Sequence, residues 1–84
     1  MSPEQGPATD ADARLVDARG QRCPMPLLMA KRALNAMAAG ERLRVVATDA
    51  TAPRDFEVFA RQSGQELIAV DTVGEEFHLV MQKR

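Results

Sequence analysis

Hydrophobic and polar residues change period along this 84-residue chain, and each change marks an element boundary. Arg14 to Ala18, R-L-V-D-A, reads as a short strand closed by Arg19-Gly20. Leu27, Ala30, Ala33, Leu34 and Met37 then recur at helical spacing, predicting a helix that runs to about Ala39 with Gly40 as its stop. Pro24 and Pro26 both suit a first helical turn, and each pushes its predecessor out of the α region. The helix therefore opens at Pro24 or at Pro26, with Cys23 at its mouth. Leu43 to Thr48, L-R-V-V-A-T, is a second and largely buried strand. Asp49-Ala-Thr-Ala-Pro53 turns the chain into a second helix that ends near Ser63 before Gly64. Thr51 is its candidate cap, and Phe56, Phe59 and Ala60 give it an inward face. Glu66 to Thr72 and Phe77 to Gln82 predict two further strands joined by a hairpin turn at Val73-Gly74-Glu75.

The resulting order is β-α-β-α-β-β. Right-handed crossovers make the first strands parallel and put both helices on one face of the sheet, an α/β two-layer sandwich of the α+β kind. In that arrangement the loops leaving the first two strands emerge at the same carboxyl edge, the usual ligand side of an open α/β sheet. Arg19, Arg22, Asp49, Thr51 and Arg54 are thereby expected to gather around Cys23. Residues 1–12 lack periodicity and read as a disordered acidic tail; residues 13–84 read as a single domain.

Composition narrows the chemistry. Aromatics are limited to Phe56, Phe59 and Phe77, so the core is aliphatic and methionine-rich, and stacking platforms for single-stranded nucleic acid are nearly absent. The net charge is −1, with Glu4, Asp10 and Asp12 in a tail that has no Lys or Arg. The remaining body is only mildly basic, which argues against direct nucleic-acid binding. One cysteine and one histidine exclude an intramolecular disulfide and a closed zinc site. No apolar run approaches the ~18 residues that would span a membrane, and the first residues lack the basic and apolar regions of a signal peptide. A reduced thiol in the cytoplasm, with no cofactor or metal, is the expectation.

Cys23 stands in R-G-Q-R-C-P-M-P-L-L, between Arg22 and the first of two alternating prolines. An unperturbed thiol has a pKa of about 8.5; a helix N-terminus and the nearby Arg19 and Arg22 are expected to favour its anion. Pro24 and Pro26 have no N–H, so the first turn offers mainly the amides of Met25 and Leu27. A moderately activated, outward-pointing thiol follows. No second cysteine exists for a dithiol cycle, and the sole histidine, His78, falls in the last strand, where it is expected to face solvent. A thiol without base or partner suits accepting a group and handing it on, as a persulfide does with sulfane sulfur. Met25, Leu28 and Met29 fall on an outer arc of the first helix with Arg32. They read either as loose methionine-rich packing or as a partner-docking patch.

At C-P-M-P the sequence resembles the TusA/SirA family of small sulfur-carrier proteins, whose hallmark is Cys-Pro-x-Pro. Asp17-Ala-Arg-Gly20, Gly40-Glu41 before an apolar strand, and Asp49 followed by Arg54-Asp55 extend the resemblance over roughly residues 13–84. The resemblance implies a four-stranded mixed sheet with two helices on one face. It implies that Cys23 carries persulfide sulfur from a cysteine desulfurase or rhodanese-like donor to a downstream acceptor protein. Transfer RNA thiolation, molybdenum-cofactor maturation and sulfur oxidation are the pathways it admits. Such a protein is a sulfurtransferase-type carrier rather than a stand-alone turnover enzyme, and a monomer is its simplest form. Arg19, Arg22, Pro24, Pro26, Asp49 and Arg54 are the expected supporting residues. The alternative is a regulatory protein-binding module in which the thiol is incidental.

Overall fold

A computed structural model describes residues 14–84; the expected tail over residues 1–12 lies outside the described residues. The elements are β1 (Arg14–Ala18), α1 (Met25–Asn35), β2 (Arg42–Ala47), α2 (Ala52–Ser63), β3 (Glu66–Val73) and β4 (Glu76–Gln82). The strands form one sheet in the order β1-β2-β4-β3. β1 pairs parallel with β2, while β4 runs antiparallel to both β2 and β3. This is the mixed four-stranded sheet that the family resemblance implies, built on the element order and the parallel first strands read from the residues.

The alternation within β2 and β4 decides which sheet face carries the helices. Leu43, Val45 and Ala47 of β2, with Leu79 and Met81 of β4, are fully buried. They join Ala30 and Leu34 of α1 and Phe56 of α2 in a single core cluster. Alanines at 18, 30, 47 and 52 let the helices approach the strands closely. Leu27 and Ala33, both in the predicted stripe, are partly buried against this core. Pro26 is buried as well.

α1 departs from the predicted span. It ends at Asn35, four residues before Ala39, because later backbone groups are claimed from elsewhere. The Ala36 and Met37 amides bond back to Ala33 and Leu34, tightening the last turn. The Ala38 amide donates to Glu41 Oε1 at 2.8 Å, and the Gly40 amide donates to the Lys83 carbonyl at 2.8 Å. Lys83 Nζ also donates to the Leu34 carbonyl at 2.8 Å, so the segment after β4 caps α1. Gly40 sits at φ +92° in this connection rather than at the helix end.

The remaining spans agree closely with expectation. α2 ends at Ser63, and Gly64 supplies the left-handed cap at φ +80°. β3 extends to Val73 with an irregularity between Leu67 and Ala69, so the hairpin turn contracts to Gly74-Glu75.

The sheet face away from the helices carries a polar chain that crosses β1, β2 and β4. Arg44 donates to His78 Nδ1 at 2.9 Å, and His78 Nε2 lies 3.1 Å from Glu76. A guanidinium only donates, so Nδ1 accepts and Nε2 carries the proton given to Glu76. His78 lies on the open face of the sheet, as expected of a strand histidine turned away from the core, although its neighbours leave the side chain only 18% exposed. Both its ring nitrogens are bonded here, on the face opposite the helices.

Candidate functional site

The thiol sits where two loops meet at the carboxyl edge of β1 and β2. The Gly20 amide donates to Thr48 Oγ1 at 2.9 Å, joining the loop after β1 to the loop after β2. The amide of Cys23 donates to Asp49 Oδ2, and the amide of Thr51 donates to Asp49 Oδ1 at 3.1 Å. One carboxylate thus orients both the cysteine and the entrance to α2. The Met25 amide donates to the Arg22 carbonyl at 2.7 Å, closing a turn around Cys23. The Cys23–Pro24 peptide is cis. Pro24 takes the N-cap position of α1 and Pro26 lies in its first turn.

Cys23 is exposed and lies on a ridge between two open depressions. One, of about 460 Å³, lies between the loops and is lined by Arg22, Thr48, Asp49 and Thr51. The other, of about 280 Å³, runs between α1 and α2 past Leu27, Lys31, Arg54, Asp55 and Phe59. The Lys31 ammonium lies over the Phe59 ring, 5.2 Å from its centroid, and bridges the two helices. Both depressions are open to solvent beside the thiol.

The electrostatics of the sulfur reverse the sequence reading. The Cys23 Sγ donates to Asp55 Oδ2 at 3.2 Å. That hydrogen bond pushes the thiol pKa above its ordinary value. Desolvation and the charges of Asp55 and Asp49 add to the rise, while Thr51 opposes it. The expectation of a thiol tilted towards its anion is therefore corrected, chiefly by the Asp55 contact. Nor are the nearby amides free to offset it: the Met25 amide donates to the Arg22 carbonyl and the Cys23 amide to Asp49.

Arg19 is the second correction. Its guanidinium binds Asp17 at 2.9 Å and Glu76 at 3.4 Å, joining the polar chain on the face away from the helices. The Asp17 carboxyl falls to about 2, chiefly through its side-chain hydrogen bond with Arg19. Arg22 does border the site, and its charge helps hold the Asp49 carboxyl below the usual range. Two backbone bonds, from Thr51 and Cys23, contribute more to that lowering. Arg54 lines the groove between the helices, on the far side of Cys23 from Arg22.

Sequence reasoning noted Asp55 only as part of an Arg-Asp pair and missed it as a site residue. Its signal is the spacing from Thr51: four residues apart across the first turn of α2, Thr51 Oγ1 reaches Asp55 Oδ2 at 3.4 Å. On α1, Met25 and Leu28 are 40% and 43% exposed, and Arg32 is exposed one turn further on. Met29 differs from the outer-arc expectation: it is half-buried against the core, so the exposed apolar patch reduces to Met25 and Leu28. Among the described residues no group of His, Cys, Asp and Glu is arranged to hold a metal ion. Among them, too, no helix is long and apolar enough to cross a membrane.

Comparison with known proteins converges on one group. The family model described as Sulfurtransferase TusA matches residues 14–83. The sulfur carrier protein TusA of Allochromatium vinosum is 46% identical over 74 residues, covering 88% of this chain and 96% of that protein. The crystal structure of a SirA-like protein from Desulfitobacterium hafniense superposes with a TM-score of 0.72 at 23% identity. It covers 81% of this chain and 93% of that one, and establishes a shared fold.

Proposed function

The chain belongs to the TusA family, and from that premise we propose that it is a sulfur carrier in which Cys23 is the attachment point. The observation that carries this reading is an exposed thiol set between two depressions by a carboxylate-anchored loop, with no second cysteine in the chain. Such a thiol accepts sulfane sulfur as a persulfide and gives it up to a second thiol or other acceptor. A carrier needs a donor and an acceptor. A cysteine desulfurase or a rhodanese-like protein suits the first role, because either presents sulfur as an enzyme persulfide. The acceptor is a downstream protein of transfer-RNA thiolation, molybdenum-cofactor maturation or sulfur oxidation. A monomer suits sequential docking with such partners, and a reducing cytoplasm keeps the empty thiol ready.

The supporting roles follow from placement. Asp49 fixes the loop, Pro24 and Pro26 set the entry of α1, and Arg22 and Arg54 flank the sulfur from opposite depressions. Met25, Leu28 and Arg32 offer a docking strip beside the thiol. The test is incubation with a desulfurase, pyridoxal phosphate and cysteine, followed by intact mass. A gain of about 32 Da, the mass of one persulfide sulfur, is expected on the wild type and not on Cys23→Ser. Failure to load from several such donors, or loading of Cys23→Ser, overturns the reading. A protein-binding module with an incidental thiol predicts instead that Cys23→Ala retains function in cells and Met25→Glu loses it.

A further inference from the structure

A carboxylate is an unusual neighbour for a carrier thiol, because it stabilises the protonated sulfur rather than the anion that attacks. Here the contact is direct. Sγ of Cys23 donates to Asp55 Oδ2 at 3.2 Å, and Thr51 Oγ1 steadies the same oxygen at 3.4 Å. Asp55 is itself fixed in the first turn of α2, where its amide donates to the Thr51 carbonyl at 3.0 Å. The other charged groups around the sulfur are Asp49 from the loop after β2, Arg22 from the cysteine's own loop, Lys31 from α1 and Arg54 from α2. Of all these, only Asp55 has a side chain hydrogen-bonded to the sulfur.

We propose that Asp55 keeps the thiol of the empty carrier protonated, holding Cys23 quiet until a sulfur donor docks; the proposal rests on the carrier reading above. The loading step balances as follows. Donor persulfide R–S–SH and Cys23–SH give R–SH and Cys23–S–SH. The Cys23 sulfur forms a bond to the outer donor sulfur as the donor S–S bond breaks, with no net oxidation. The proton leaving Cys23 is matched by the one that the departing donor thiolate gains. Once loaded, Sγ has no proton to give Asp55, and an ionised outer sulfur is repelled by the Asp49 and Asp55 carboxylates. The Sγ–H to Asp55 hydrogen bond that restrains the empty thiol is therefore absent from the loaded carrier.

The experiment measures the rate of Cys23 alkylation by iodoacetamide against pH for the reduced wild type, Asp55→Asn and Asp55→Glu. Circular dichroism checks that each variant is folded. Asp55→Asn is expected to lower the midpoint and to raise alkylation at neutral pH several-fold. Asp55→Glu, which keeps the carboxylate, is expected to move the midpoint back towards wild type, a rescue that a purely structural role would not give. A midpoint for Asp55→Asn equal to or above wild type overturns the proposal. So does a midpoint for Asp55→Glu that stays with Asp55→Asn. Sulfur loading of the wild type is read separately by mass, so failure of the carrier reading is distinguishable from failure of this one.

Discussion

The amide of Cys23 donates to the side chain of Asp49, so one carboxylate fastens the loop after β1 to the loop after β2. The same carboxylate takes the Thr51 amide at 3.1 Å and so orients the start of α2. Asp49→Ala removes both bonds at once. Hydrogen exchange at the Cys23 and Thr51 amides is expected to accelerate, and sulfur loading from a protein donor to slow by on the order of tenfold through lost positioning. The loss should appear even though removing the Asp49 charge favours the thiolate. Loading at the wild-type rate, with unchanged exchange, would show that the tie is dispensable.

The loops are only as well placed as the helices that follow them, and α2 depends on Phe56. Its ring is fully buried within the core cluster. Phe56→Ala is expected to cost about 3–5 kcal/mol, from lost burial and the cavity left behind. For a domain of this size that is a large share of the total stability. Urea unfolding followed by circular dichroism reads the value; Phe56→Leu should lose markedly less.

Among the described residues, three carboxyls are held below their ordinary values in the folded protein: Asp17, Asp49 and Glu76. Asp17 falls from 3.8 to about 2. A carboxyl whose folded pKa is depressed stabilises the fold above its unfolded pKa and loses that contribution as pH falls through the folded value. The stability contributed by Asp17 is therefore expected to disappear between about pH 4 and pH 2. Arg19→Ala should shrink this acid-sensitive component, read by urea unfolding at stepped pH. The same variant should leave the alkylation midpoint of Cys23 unchanged, because Arg19 is bound to Asp17 and Glu76. A shifted midpoint would return Arg19 to the site.

Periodicity and punctuation made the fold legible, because both are local. Prolines at 24, 26 and 53 and glycines at 64 and 74 mark boundaries whatever the rest of the chain does. The end of α1 was not legible, since it is decided by Lys83, 49 residues from Leu34 in sequence. The site divides in the same way. Cys23 and its proline frame are contiguous, and Asp49 reaches them through a topology that the element order implies. Arg19 was misplaced because its partner Glu76 lies 57 residues away, on a strand whose register the sequence does not state. The state of the thiol was misjudged for a related reason. Counting nearby cations says nothing about which carboxylate a sulfur will touch, and Asp55 is 32 residues from Cys23.

Docking gives the last prediction. Leu28 and Met25 lie in the first turn of α1, 43% and 40% exposed, beside the exposed thiol, with Arg32 one turn on. A partner that seals this strip would bury apolar area and bring its own sulfur to the ridge between the two depressions. Leu28→Gln removes apolar surface without adding a charge that would disturb the thiol. It should leave unfolding and the alkylation profile unchanged while weakening capture of a protein sulfur donor. A loss of about 1–2 kcal/mol is typical when a contributing interface residue is truncated, which is roughly tenfold in Kd. Loading from a small inorganic polysulfide, which needs no docking surface, should proceed at the wild-type rate. Met29→Gln is the contrasting variant, because Met29 packs against the core; it should lower stability as well as transfer. If Leu28→Gln loads equally well from protein and from polysulfide, the strip is not where the donor sits.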